Sequence, residues 1–506
     1  MTRFLFFFLF LPILGFSQLE QPKRFEVELE GYDDEYEVML GGKNGVILYR
    51  TLNDFNKNGG QLWDFVLLDT ALNLSWQRRL YMEKNISFRG YDYSMESYFF
   101  LFQQTTGSSK DLKLMEMKSE TGDTLRYTIK NFVPLNLTEF EVTNGAALLG
   151  GYYNHEPVVI HYSFSENKTK VLPGIFGSKT ELVQLKVDDS SITVMVSDRT
   201  FDKRNTLTIK SYNIYGDYLN TYTFNPDYDK GLIFGRIADV EDIANLVVGT
   251  YGGKRSDFSQ GLFLGAVNEE NQQQIEYINY ADFENFFNYM KAKRQKRVSD
   301  RIDRKKIKGK KVKFNYRLLV HEVYKQEDTY ILLGEAFYPK YSSSNYYYGD
   351  DGGQLGGYGY NSDEYVPTNF AGYRYTHGVV AAFDSNGKMI WDNSFEIEDV
   401  LSYSLEQFIH AAFVDEGIVL LYLYDNQIRS KIISGSEVVE GKKFDDLKLS
   451  FEDDKVNSYS SSKIGGLEKW YGNTFIAYGV QRIKNLKDSG VKLNRKVFYI
   501  NKINYR

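Results

Sequence analysis

Cysteine is absent from this 506-residue chain, and proline, histidine and tryptophan number only 8, 5 and 4. Without cysteine there is no disulfide, no thiolate metal site, no cysteine nucleophile and no acylated lipoprotein anchor. Long apolar runs are almost as scarce. One run, Phe4 to Phe16, is present, and it is too short for a membrane-spanning helix, which needs roughly 20 apolar residues. Nor is there an excess of positive charge: the net charge is −6, so no global case exists for nucleic-acid binding. What the chain has instead is 42 Gly, 41 Tyr and 36 Phe. Aromatic residues favour strands and glycine marks turns, so the composition points to an all-β protein.

The apolar run follows Met1-Thr2-Arg3 and ends in the small residues Gly15 and Ser17. That pattern predicts a secretory signal peptide over 1–17, cleaved to leave Gln18 first. The alternative is a buried N-terminal strand. Export places the mature protein in a periplasm, at an outer membrane through partners, or outside the cell. A bacterial envelope suits the signal best, and the missing cysteine excludes a lipoprotein.

Apolar strands ending near a glycine recur along 18–506. Ala147-Leu148-Leu149-Gly150, Leu246-Val247-Val248-Gly249 and Ile331-Leu332-Leu333-Gly334 are clear cases. Starts fall near residues 45, 97, 146, 191, 245, 329, 417 and 474, mostly 45 to 57 apart. Two gaps exceed 80 residues, and each contains an insertion whose removal restores a period near 50. Such a period with four short strands predicts a β-propeller, with eight blades or, alternatively, seven. Arg24 to Glu30 alternates cleanly without a partner of its own, while the last unit shows three strands. The N-terminal strand is therefore expected to close the ring and remove both sheet edges. A pair of β-sandwiches and an irregular β-solenoid are the competing folds.

The stretch Ala381-Ala382-Phe383-Asp384-Ser385-Asn386-Gly387-Lys388-Met389-Ile390-Trp391 resembles the repeat of quinoprotein-type propellers: an apolar strand, an Asp, a Gly turn and a Trp. The resemblance covers one blade well and about three in part. It implies architecture and no cofactor, because the adjacent-cysteine disulfide common beside the quinone is impossible here. The similar propeller of the outer-membrane barrel-assembly machinery is a lipoprotein, and its anchoring Cys is also missing.

The first insertion, 281–313, reads as a basic helix. Asp282 is placed to cap it, and Phe283, Phe286, Phe287 and Met290 follow at helical spacing as an apolar stripe. Lys291 to Lys313 then holds 13 Lys or Arg against two Asp, a net of +11. With Arg3 set aside the chain is −7, so everything else sums to −18. The second insertion, 338–375, holds ten Tyr, seven Gly, four acids and two bases. Tyrosine offers broad amphipathic contact area, suited to protein contacts or to stacking on sugars. The expected partner-binding residues are Lys293, Arg294, Arg297, Arg301, Arg304 and Lys305 with Tyr346, Tyr347, Tyr348, Tyr358 and Tyr360. If the helix follows the fourth strand of blade five and the tyrosine segment joins strands two and three of blade six, both emerge at one face. A blank opposite face is the expected companion.

No catalytic motif stands beside this surface. His155, His161, His321, His377 and His410 have no zinc-type spacing, and there is no G-x-S-x-G elbow, phosphate loop or EF-hand loop. His321, Glu335 and His377 fall on three strands of one expected blade, where alternation either joins or separates them. The sequence thus predicts a non-catalytic propeller without metal or cofactor. It acts as a binding or scaffold subunit of an envelope protein complex with an acidic surface. A glycan-binding or glycan-cleaving propeller is the alternative, with peripheral attachment to anionic lipid as a third. Clustered carboxylates in the central channel are the feature that favours glycan cleavage.

Overall fold

The computed structural model describes residues 19–29, 34–105, 111–130, 133–238, 246–267, 272–341, 370–457, 465–487 and 490–505. Its strands form eight antiparallel sheets, the blades of a propeller. The second strand of each blade is Val46–Phe55, Ser97–Gln104, Ala146–Tyr153, Ser191–Arg199, Val247–Gly253, Thr329–Tyr341, Gly417–Tyr424 or Thr474–Asn485. These strands begin at or within two residues of the predicted starts. They carry the clearest apolar runs because neighbouring blades bury both of their faces: Tyr98 to Phe102 and Val419 to Leu423 are all buried.

The ring closes as expected. The strand Leu19–Glu28 pairs with the last strand, Asn494–Tyr505, and becomes the outer strand of blade eight. Arg24 fastens it. Its guanidinium donates to Asn501 Oδ1 and Gln481 Oε1, each at 2.7 Å, and lies 4.6 Å from the centre of the Tyr499 ring. One sheet built from strands near both ends of the sequence completes blade eight, with Leu19–Glu28 as its outer edge strand.

Inner strands border the channel, where a row of backbone amides lacks a strand partner. Side chains of adjacent blades supply some of the acceptors. Asp92 Oδ2 accepts from Val142 N at 2.6 Å, Gln184 Oε1 from Ile237 N at 3.0 Å and Asn473 Oδ1 from Phe413 N at 3.2 Å. The inner strands of blades two to six each carry a one-residue bulge, at Arg89, Thr138, Val183, Ile233 and His321. This repeated irregularity twists each inner strand and re-aims the side chains that follow it.

One α-helix, α1 (Ala292–Ile307), interrupts the β-architecture between blades five and six. Among the described residues no helix is long and apolar enough to cross a membrane.

Candidate interaction face

Strand direction alternates within every blade, so links from strand two to three and from strand four to the next blade emerge at one face. Links from one to two and from three to four emerge at the other. The second set is short: all run five residues or fewer, apart from 238–246. The first set includes 280–316, 342–369, 397–409 and 447–465. Within the links themselves, exposed large apolar side chains divide the same way. Phe176, Phe201, Tyr228, Tyr403, Phe451 and Leu486 stand on the loop face, whereas the hairpin-face links expose Met95 and Tyr215 among the described residues. Both ends of the ring-closing pair, Leu19 and Tyr505, meet at the hairpin face.

The basic insertion rises from the loop face on an aromatic stem. The fourth strand of blade five ends at Asn279, and a single 3₁₀ turn, Tyr280–Asp282, follows. Phe286 is fully buried, 4.4 Å from the Tyr280 ring and 5.0 Å from Tyr316, centre to centre. Tyr289 stacks on His377 of blade six at 3.7 Å with the rings 6° from parallel. Two backbone amides of the stem, Glu284 N and Asn285 N, donate to the Asp392 carboxylate at 2.7 and 2.8 Å. Tyr316 then returns the chain by pairing with Ser259 before blade six begins.

This arrangement corrects the sequence expectation in one respect. Phe283, Phe286, Phe287 and Met290 do not form a stripe on a helix capped by Asp282; they lie in turns ahead of it. Their side chains pack into a core shared by blades five and six, which requires contacts on several sides and not on one. Asp282 instead pairs with Lys306, 2.9 Å away, tying the last turn of α1 to the stem. The helix begins at Ala292 with Lys291 at its N-cap and no side-chain cap.

Val298 and Ile302 pack α1 onto the same core, which fixes which side of it faces solvent. Lys293, Arg294, Arg297, Arg301 and Arg304 are exposed and Lys305 is half-buried. Lys311, beyond the helix, pairs with Asp229 at 2.9 Å. Among the described residues Lys293, Arg294, Arg297 and Arg301 have no carboxylate partner. Tyr346, Tyr347, Tyr348, Tyr358 and Tyr360 lie outside the described residues. The strands flanking them reach Tyr341 and resume at Phe370, so they run into the expected 338–375 segment from both sides.

A second set of charged groups lies on or against the inner strands. His321 Nε2 lies 2.9 Å from Glu335 Oε2, and the fully buried Glu335 also accepts from the backbone amide of Phe408 at 3.0 Å. His377 is turned away from this pair and into the aromatic stem, where burial lowers it to about 3 and keeps it neutral. His377 pairs with Ala336 and Glu335 with Gly378, so alternation along these strands puts the two side chains on opposite faces of the blade. On the inner strand of blade three, burial pushes the Glu141 carboxyl up to about 8, with Asp92 and Glu139 adding repulsion. Burial likewise raises Asp92 and Glu139, partly offset by the amide bonds to Asp92 and by Arg236 facing Glu139. Among the described residues no three His, Asp or Glu converge in an arrangement that could hold a metal ion. Glu139 and Glu141 are neighbours on one strand, but no local pattern shows that the ring sets Asp92 of the adjacent blade near them.

No family model matches the chain, and no curated protein matches it either. Solved structures resemble it at low identity. The polysaccharide lyase Uly1 shares 9% identity over 82% of this chain and 89% of its own, with a TM-score of 0.40. The dihydro-heme d1 dehydrogenase NirN shares 9% over 96% of this chain and 78% of its own, with a TM-score of 0.41. One of two prolyl endopeptidases shares 9% over 90% of this chain and 54% of its own, with a TM-score of 0.36. At these values none of the three carries an activity over to this chain.

Proposed function

We propose that this is an exported binding or scaffold protein of the bacterial envelope that engages an anionic partner through its loop face without catalysis. The observation that carries this reading is the mounting of α1. A buried aromatic stem holds a row of exposed bases that have no carboxylate partners among the described residues. Like charges held close together repel one another, and an opposing anionic surface relieves that repulsion. Concentrating +11 in 23 residues on a chain otherwise at −18 also orients the approach of such a partner. The test is a mild-detergent pull-down of the tagged protein from its own cells, comparing wild type with Arg294→Glu/Arg297→Glu/Arg301→Glu. A defined envelope complex that is lost in the variant supports the reading. Recovery of the protein alone in both cases overturns it.

A second reading, glycan cleavage in the channel, is favoured by the crowding of Asp92, Glu139 and Glu141. A carboxyl still protonated near neutral pH is suited to act as a general acid. Against it, Asp92 is engaged by the backbone amides of Tyr93 and Val142. A glycan panel read for reducing ends, with Glu141→Gln as control, separates the two readings.

A further inference from the structure

The arrangement of bases on α1 says more than that the partner is anionic. At about 100° per residue, Lys293, Arg297, Arg301, Arg304 and Lys308 fall on one strip of the helix, flanked by Arg294 and Lys305. Steps of four, four, three and four residues place one base per turn, roughly 5.4 Å apart, over about 22 Å. Asp300, Asp303, Lys296 and Ile307 adjoin it on one side, so positive charge is densest in a band that runs lengthwise along the helix. Beyond α1 the chain reaches Lys311, paired with Asp229, the residue after Tyr228. The Tyr228 ring is exposed, and Lys254 Nζ sits 4.3 Å from its centre.

Resting on the reading of the loop face as a binding surface, we infer that this strip holds a linear acidic polysaccharide, of the kind that carries a carboxylate on successive sugars. A one-dimensional row of evenly spaced bases matches a one-dimensional row of charges. The exposed Tyr228, next to the Asp229 that pairs with Lys311, carries Lys254 over one face of its ring and offers the other for a sugar ring to stack on. A bilayer is a poorer match. The apolar side of α1, Val298 and Ile302, is spent on the propeller core, leaving Ile307 as its exposed apolar residue. Asp300 and Asp303 would face any wide anionic surface and be repelled by it. An acidic protein offers charge without a linear repeat and leaves the spacing unexplained.

The experiment is direct binding of the full chain to polygalacturonate across a salt series, beside phosphatidylglycerol vesicles and inorganic polyphosphate. Wild type binds polygalacturonate with affinity that falls steeply as salt rises. Arg297→Glu/Arg301→Glu weakens it by about tenfold or more, whereas the charge-matched Lys296→Glu/Lys310→Glu, off the strip, weakens it far less. Tyr228→Ala lowers affinity for polygalacturonate and leaves polyphosphate unchanged. Equal losses from the two charge-matched variants overturn the strip. Binding to vesicles or polyphosphate without polygalacturonate overturns the polysaccharide. If polygalacturonate fails while the pull-down still loses its complex in the helix variant, the loop-face reading stands and the partner is a protein.

Discussion

The two faces of this propeller are built from the same strands and differ in what joins them. On the hairpin face, short links turn the chain within a few residues and bring the two ends of the closing strand pair together. On the loop face the links lengthen to carry α1, the tyrosine segment and a scatter of exposed rings. Propeller stability is set by the blades and their interfaces, so either face could in principle have grown long loops. The long links gather on one face, and loops on a rigid scaffold are where binding residues concentrate, which is why the proposed contact is placed there.

The comparison breaks most severely if the scaffold opens. Deleting 19–28 removes the outer strand of blade eight together with the Arg24 contacts. We expect loss of a single cooperative thermal transition and a tendency to associate through the exposed edge, read by calorimetry and light scattering. Next in size is Phe286→Ala in the stem, where a fully buried ring meets several others. A loss of about 3–5 kcal/mol is expected, with 291–313 becoming protease-sensitive before the hairpin-face turns do.

Glycine substitutions sharpen the contrast at a smaller scale. Gly45 turns the hairpin face at φ +100°, and a Cβ there would meet the Leu68 carbonyl oxygen at 2.1 Å. Gly309, just past α1, has φ +62° and nothing within 4 Å of the same atom. Gly45→Ala should therefore cost more than the roughly 1–2 kcal/mol of positive-φ strain that is all Gly309→Ala incurs, measured by denaturant unfolding.

The channel gives the subtlest test. In the folded state Glu141 stays protonated up to about pH 8, whereas in the unfolded chain it ionises near the usual carboxylate value. Its contribution is neutral at low pH, and it destabilises the fold increasingly as pH rises between those two values. Glu141→Gln removes the group, so its gain in melting temperature over wild type should be absent near pH 4 and largest above pH 8.

Much of the fold was legible because the second strand of each blade is buried on both faces and must be apolar. Inner strands were not. Glu37–Leu40 is short, and the bulge at His321 breaks the alternation by which a strand is read. The basic run of α1 was plain in the sequence, yet the helix begins nine residues after Phe283, where the spacing of rings imitated one. Rings buried on every side obey the shape of the cavity between blades five and six, and a one-sided periodicity does not describe them. The contact between Tyr289 and His377 joins residues from different blades, so no local pattern announced it.

The most direct measurement is lysine footprinting of the protein in its native envelope against the purified chain, resolved by residue. Lys293, Lys305 and Lys308 report the loop face, and the exposed Lys43, Lys168 and Lys388 report the hairpin face. The account predicts protection of the first three in the envelope and unchanged labelling of the second three. Protection of the hairpin-face lysines, with the α1 lysines left reactive, would contradict it.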